Sequence, residues 1–412
     1  MFFIKLNMKI YNIKKKIIIA SAVLSSLGLL TAIYTFIYGL ESWGIHKKVV
    51  WGIAIVNFVF WIGNSHSGTL ISAILYLLRQ EWRHPIHRIA ETITIISIFI
   101  AAFFPLIHLG RPWFFYWLFP LPNQTSLWPN FKSPLIWDLI AIFTYMFLSF
   151  LFWFLGILPD YQHFKFKNPK IKHKILSFLS KFWSGSTVNW VEYRWTYNLF
   201  AGILTFVVVS VHSIVSFDFS VTILPVWHST MLPVYFVVGA IYSGLALLLF
   251  VSVIISIEEH ISEHSRVNLS KLILTFSYFT LYFYLLEYFY EFYSQDQNIK
   301  SLLSLRFDSS YLWMTIIMIL QIFILPQFLW LKKIRENTKF QLLISSNVVI
   351  GMWFERFLLI IPTLSYDLVV NEKISYVPTF IDYSLTFGSL GFFILSFCVI
   401  GKIIPMVPKS ET

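Results

Sequence analysis

Charge is scarce in this sequence. Only 12% of its 412 residues are Asp, Glu, Lys or Arg, about half of the ~25% usual in a soluble domain. No stretch is polar and long enough to fold as a separate soluble domain, so the chain reads as one unit, 1–412. Cysteine is scarcer still, since Cys398 stands alone. A single thiol excludes an intrachain disulfide, a self-contained iron–sulfur cluster and a Cys-rich zinc site. Carboxylates are few, 20 against 31 Lys and Arg, for a net charge of +11. That balance would suit nucleic acid if the cations clustered on one surface. Their spacing along the chain follows membrane topology instead.

What is abundant is apolar length. Ten runs of roughly the ~20 residues that span a bilayer can be marked: 16–38, 49–78, 88–109, 135–158, 196–217, 231–257, 269–293, 311–331, 341–361 and 379–404. The expected fold is an all-α polytopic membrane protein of about ten helices. Strands of a transmembrane barrel would alternate over ~10 residues rather than run apolar for ~20. The first run follows Lys14-Lys15-Lys16 as a signal peptide would. It lacks a convincing small-residue cleavage site and is long enough to span, so it reads as a retained helix.

The cations test the assignment. The amino-terminal tail, the connections 79–88, 159–195, 258–271 and 332–340, and the carboxyl end hold 23 Lys and Arg, whereas the alternate connections hold 7. The positive-inside rule then places both termini in the cytoplasm. The connection from Tyr161 to Lys181 is a solvated basic loop, with lipid binding open to it.

The second run carries the most unusual residues, Trp61-Ile62-Gly63-Asn64-Ser65-His66-Ser67-Gly68-Thr69-Leu70. Polar and ionisable side chains at membrane depth face a bundle interior or a functional cavity, and glycines admit a close neighbour. A short echo, Gly239-Ala240-Ile241-Tyr242-Ser243-Gly244, lies in the sixth run. It suggests two parallel four-helix bundles, helices 2–5 (49–217) and 6–9 (231–361), with two peripheral helices.

Topology sorts the remaining ionisable groups by depth. His66 falls near the midplane and Glu91 near the inner surface. His108, Arg111, Asp138, His212, Asp218, His228, Glu287, Glu291, Glu355 and Arg356 gather between midplane and outer face. Arg111 and Glu291 read equally as ordinary interface residues, and Asp138 as a helix cap. Glu355 and Arg356 stand about 100° apart on a helix, so each is expected to pair across helices. Three chemistries suit the group. A quinol site needs a histidine or carboxylate to accept each hydroxyl proton. Haem ligation needs paired deep histidines on a helix, which are not found. An ion-coupled transporter needs broken helices around its substrate, and these are few.

Further segments then carry a resemblance: Ser65-His66-Ser67-Gly68-Thr69-Leu70-Ile71-Ser72-Ala73-Ile74-Leu75, Phe104-Pro105-Leu106-Ile107-His108-Leu109-Gly110-Arg111-Pro112-Trp113, Leu127-Trp128-Pro129-Asn130-Phe131, Ser210-Val211-His212-Ser213-Ile214-Val215-Ser216-Phe217-Asp218-Phe219, Trp227-His228-Ser229-Thr230 and Gly351-Met352-Trp353-Phe354-Glu355-Arg356-Phe357. In this order, over about 40–406, they resemble the NrfD/PsrC polysulfide reductase membrane subunit superfamily. The likeness is greatest to the quinol-binding membrane subunit of bacterial alternative complex III, ActC. The resemblance implies a multi-pass subunit of the bacterial inner membrane, not catalytic alone. It would oxidise menaquinol or another quinone near the periplasmic face, with possible proton translocation and no redox cofactor or metal of its own. Its implied partners are c-type cytochrome subunits, a periplasmic iron–sulfur subunit and a paralogous membrane subunit, and not nucleic acid. On that reading His66 and Asp218 are catalytic. His66, Gly68, Arg111, Asp138 and His212 bind quinol, and Glu91, Glu287 and Glu355 line a proton path. A free imidazole titrates close to neutral pH, which suits His66 to the base role. Two alternatives stay open: an ion-coupled secondary transporter, and the non-quinol paralogue of the same complex.

Overall fold

The structure is a computed structural model that describes residues 2–46, 49–118, 134–257, 259, 261–367, 372–374 and 376–409. The segment Leu127-Trp128-Pro129-Asn130-Phe131 and the cations Lys47, Lys48 and Lys132 lie outside the described residues. Among those described, nine helices are long and apolar enough to cross a membrane. They are α1 (Phe2–Tyr38), then, after a second rod, α3 (His87–His108), α4 (Pro134–Ile157), α5 (Thr187–Ser220), α6 (Leu232–Ile255), α7 (Glu263–Ser294), α8 (Leu312–Ile319, extended to Trp330), α9 (Thr338–Leu364) and α10 (Phe380–Ile403). The second rod, α2 (Ile53–Asn64), runs on through a turn at Ser65, His66–Gly68, a π-helical stretch Thr69–Ile74 and Leu75–Leu77. With it the architecture is the expected all-α membrane fold. A short antiparallel hairpin, β1 (Tyr366–Asp367) with β2 (Glu372–Lys373), follows α9.

Hydrogen bonds identify the two ends of the helix stack. At one end Arg88, opening α3, donates to Asp160 beyond α4 at 2.7 Å and to the Pro405 carbonyl beyond α10 at 3.1 Å. Asp160 also accepts from the Lys409 amide at 2.8 Å, and Ser265 in α7 donates to Trp82 O at 2.6 Å. At the other end Tyr376 Oη accepts from the Ile53 amide at 3.0 Å, and Trp227 before α6 donates to Leu359 O near the end of α9 at 3.0 Å. Successive helices therefore run in opposite directions, and the first end is the one carrying most of the basic connections. There the Arg88–Asp160 ion pair is fully buried, its charges satisfied by the surrounding carbonyls and amide.

Small residues set the closest helix crossings, as expected where lipid offers no hydrophobic force between helices. The two peripheral helices, α1 and α10, meet at glycines: a Cβ on Gly28 would lie 2.7 Å from Gly388 Cα, and one on Gly391 would lie 2.6 Å from Leu24 Cβ. At the centre α2 crosses α6. A Cβ on Gly244 would sit 2.9 Å from the Ser67 amide, and one on Gly63 3.7 Å from Ala240. Ser243 donates to Asn64 Oδ1 at 2.9 Å. The two similar stretches of sequence thus pack on each other, side by side and parallel.

Gly388→Leu drives a branched side chain into the Gly28 backbone. Overpacking of this kind costs about 1–3 kcal/mol, so the chain should melt earlier in detergent, followed by tryptophan fluorescence. Phe387→Leu, on the exposed face one residue away, should leave the midpoint in place.

Candidate functional site

The polar stretch of α2 is positioned by an interruption in its own ladder. Around Ser65–Gly68 the helix widens toward its π segment, and some backbone groups lose their usual partners. In a membrane such groups must be satisfied by protein. The Gly68 amide donates to Thr94 Oγ1 of α3 at 2.9 Å, and Thr94 in turn donates to Ser65 O at 2.6 Å. Tyr145 of α4 donates to the same carbonyl at 3.0 Å and meets Thr69 Oγ1 at 2.9 Å. Ser67 Oγ donates to Asn64 O at 3.1 Å. A Cβ at Gly68 would lie 2.7 Å from Ala90 O and still closer to Thr94 Oγ1, so the glycine is required by the approach of α3.

This widening presents His66 to α5. Its Nε2 lies 3.0 Å from Val208 O and its Nδ1 2.8 Å from Ile62 O. Both partners are carbonyls, which only accept, while a neutral imidazole has one N–H. The ring satisfies both contacts only when it carries a second proton. His212 of α5 stands edge-on to it, ring centroids 4.5 Å apart. Both His212 nitrogens are buried without a hydrogen-bond partner.

The same pocket receives Arg356 and Glu355 from α9. Arg356 Nε lies 3.3 Å from Glu355 Oε2, and its guanidinium covers the Phe236 ring at 4.4 Å. A Cβ at Gly239 would come within 2.7 Å of Arg356 Nη2, so the glycine leaves room for the cation. Tyr235 donates to Glu355 Oε1. The expectation that the adjacent Glu355 and Arg356 would not pair with each other is corrected: their side chains are long enough to fold back into contact, while Tyr235 and Phe236 of α6 reach them across helices. At the junction of α2, α5, α6 and α9 the chain thus buries two imidazoles, a guanidinium, a carboxylate and a phenol.

Asp138 of α4 and Asp218 of α5 form a second group. Their carboxyls are within hydrogen-bond reach of each other. Both side chains are buried, and each keeps one oxygen without a partner. Asp218 lies two turns beyond His212 on α5, toward the end opposite the basic connections, and faces α4 rather than the imidazoles. Two carboxyls hydrogen-bond to each other only when they share a proton. Arg111, just past α3, is exposed. The His108 ring lies 5.8 Å from that of Trp43, tilted by 49°, with a buried, unpartnered Nδ1.

Three glutamates lie further out. Glu91 is buried near the basic end, where Tyr197 of α5 donates to Oε1 at 2.8 Å. Ser72 of the π stretch and the Arg88 charge are close by. Glu287 of α7 pairs with Arg306 at 3.3 Å. Glu291, one turn on, is buried with both oxygens unpartnered. The site residues predicted from sequence therefore do not converge: His66, Gly68, His212 and Glu355 lie around the α2–α6 crossing, Asp138 meets Asp218, Glu91 and Glu287 lie toward opposite ends, and Arg111 is exposed just past α3. Sequence reasoning left out Tyr235, Tyr145 and Thr94. A tyrosine or threonine in an apolar helix gives too common a signal to single out. Among the described residues no group of three or more His, Cys, Asp or Glu is arranged to hold a metal ion.

Residues 41–366 match the family described as Polysulphide reductase, NrfD. A putative dimethyl sulfoxide reductase membrane subunit of Halobacterium salinarum is 26% identical over 235 residues, covering 57% of this chain and half of that protein's length. A selenate reductase subunit of Mesobacillus selenatarsenatis is 23% identical over 402 residues, 90% of each chain.

Arg356→Met leaves Glu355 buried without its cation. Removing one partner of a buried ion pair costs about 3–5 kcal/mol, so the unfolding midpoint in detergent should fall well below that of the parent. Glu355→Gln combined with Arg356→Met should recover most of the loss, and a double variant as unstable as the single one would show that the pair is not the stabilising unit.

Proposed function

We propose a function on one premise: the chain belongs to the NrfD polysulphide reductase family. On our reading it is the integral membrane subunit of a respiratory oxidoreductase complex, and it binds and oxidises a quinol. Both termini lie in the cytoplasm, and helices 2–5 and 6–9 form two four-helix bundles. The observation that carries the reading is the buried Asp138–Asp218 pair, at the end opposite the basic connections, with an unpartnered oxygen on each carboxyl. A hydroquinone offers two hydroxyl donors, and oxidation to the quinone releases two protons and two electrons. The free carboxyl oxygens accept the hydroxyl hydrogen bonds, Asp218 takes the first proton as general base and Asp138 the second. The electrons pass to redox centres in a partner subunit on that face.

His66 and His212 stand at mid-depth as the groups through which a proton would pass. Both ring nitrogens of His66 face carbonyls, at Val208 and Ile62, and its ring stands edge-on to His212. Thr69, Tyr145 and Ser72 supply hydroxyls along the π stretch toward Glu91, a route for proton uptake from the basic side. Arg111 orients the pocket mouth, and Glu355 and Glu287 extend the path on the other half.

The acceptor has two readings. The alternative complex III resemblance points to c-type cytochromes beyond an iron–sulfur subunit, with a paralogous membrane subunit alongside. Both relatives are named as reductase subunits, which favours the membrane subunit of a reductase whose catalytic and iron–sulfur subunits dock on the same face.

Asp218→Asn and His66→Ala should each lower quinol-dependent reduction of the assembled complex by at least about tenfold, within the range of acid–base contributions, while subunit assembly persists. Undiminished turnover in both variants would remove this site from the mechanism, and a purified chain without redox partners that carries ion flux in liposomes would favour a transporter. Reporter fusions at the two termini should both report the cytoplasm, since an odd number of crossings would separate them.

A further inference from the structure

The connection between α4 and α5 reads from sequence as a solvated loop, yet it contains a helix over Pro169–Leu179. Asn168 caps that helix by accepting from the Lys170 amide at 2.9 Å, and Pro169 opens its first turn, both ordinary helix starts. Around it stand Lys165, Lys167, Lys170, Lys172, Lys174 and Lys181, all exposed. From 161 to 191 the sequence has no Asp or Glu to balance them.

The helix has two apolar sides. One faces the protein. Ile175 and Leu176 pack on the core, and Leu179 is buried there with Trp183 just beyond it. The Trp183 ring lies 4.9 Å from Trp190 and 5.6 Å from Tyr193 between centroids. Such tryptophan and tyrosine clusters are typical of the headgroup level of a membrane. The other side faces outward. Ile171 and Phe178 are seven residues apart and so share one edge. They are 50% and 54% exposed, and Phe182, just past the helix, is 52% exposed. At 100° per residue, Lys170 and Lys174 border this edge on one side and Lys172 on the other.

The outward edge joins a surface that meets lipid. The Phe178 ring lies 5.3 Å from Phe182, Phe182 lies 6.0 Å from Phe154 of α4, and Phe154 lies 6.5 Å from Phe150. Phe147 and Phe150 are exposed on the flank of α4, a helix long and apolar enough to cross a membrane. This ladder of rings sets the height of the short helix, because its apolar edge continues the exposed flank of α4. Lysine stems can lie along apolar surface while their ammonium groups stay at the polar level. An apolar edge bordered by lysines is the pattern of a helix lying in the membrane interface.

We propose that the helix Pro169–Leu179 lies in the membrane interface and binds the phosphate headgroups of anionic phospholipid through Lys170, Lys172 and Lys174. Ile171, Phe178 and Phe182 enter the acyl boundary, and the lysines hold the headgroups above them. Charge complementarity favours this occupant, since an anionic leaflet attracts each nearby cation. The inference needs neither the quinol reading nor a partner subunit.

The test uses the full chain with Cys398→Ser and Ile171→Cys, the new thiol carrying a polarity-sensitive fluorophore. It is placed in nanodiscs of phosphatidylcholine with increasing fractions of phosphatidylglycerol. The emission should move to the blue as phosphatidylglycerol rises, and salt at about 1 M, where the Debye length is ~3 Å, should reverse the move. Lys170→Gln, Lys172→Gln and Lys174→Gln together should raise the phosphatidylglycerol fraction at half-response at least about fivefold. Lys332→Gln with Lys333→Gln, exposed at the same end on another connection, should leave it in place. Emission indifferent to phosphatidylglycerol, or an equal loss in both sets of variants, overturns the proposal. A shift that follows co-purified protein at every lipid composition assigns the face to an acidic partner and overturns it as well.

Discussion

The crossing of α2 and α6 is the contact on which the rest of the structure depends. Gly244 against Ser67, Gly63 against Ala240 and the Ser243–Asn64 hydrogen bond bring two backbones close. In lipid, where apolar side chains gain little by leaving their solvent, such close packing and interhelical hydrogen bonding supply much of the association. Because the two helices meet there, α5 and α9 are drawn in on either side, each with its ionisable residues turned inward. His66, His212, Glu355 and Arg356 become neighbours as a result.

The interruption in α2 belongs to the same constraint. A regular helix would bond its own amides and leave Thr94 and Tyr145 without a role at this depth. The widened turn releases groups that only neighbouring helices can satisfy, and it ties α3 and α4 to the His66 segment through Ser65 O and the Gly68 amide. Local irregularity and tertiary order are one feature here. The irregular stretch is also the one that turns an imidazole toward α5.

Charge is distributed with the same economy. At the basic end Arg88 and Asp160 are enclosed and tie together α3, α4 and the segment after α10, as a structural clamp would, although Arg88 Nε keeps no hydrogen-bond partner. Toward the other end, Asp138, Asp218 and Glu291 are buried with oxygens left over. Buried atoms left over occur at both ends, since Glu91 Oε2 near the basic connections is unpartnered too. Such incompletely engaged groups keep capacity for a proton or a ligand.

How much of this the sequence could show differs from residue to residue. The apolar runs were legible because a bilayer demands about twenty apolar residues wherever a helix crosses it. The second helix was legible as a continuous run, yet its π stretch was not, since no composition marks where a ladder will widen. His66 stood out because an imidazole at mid-membrane depth is expensive. His212, Asp138 and Asp218 were also named, but not which of them meet: His212 is 146 positions from His66, and the Asp138–Asp218 approach depends on side-chain geometry that no spacing encodes. Glu355 and Arg356 were read from helix angles as strangers, and long side chains made them partners. Sequence by itself determined the all-α membrane architecture and the places where polarity is tolerated, because the solvent sets both one helix at a time. Which polar groups meet, and which are left with an unsatisfied atom, was decided by the packing of helices against each other, because hydrogen bonds and ion pairs depend on distances of a few ångströms that exist only once the fold is complete.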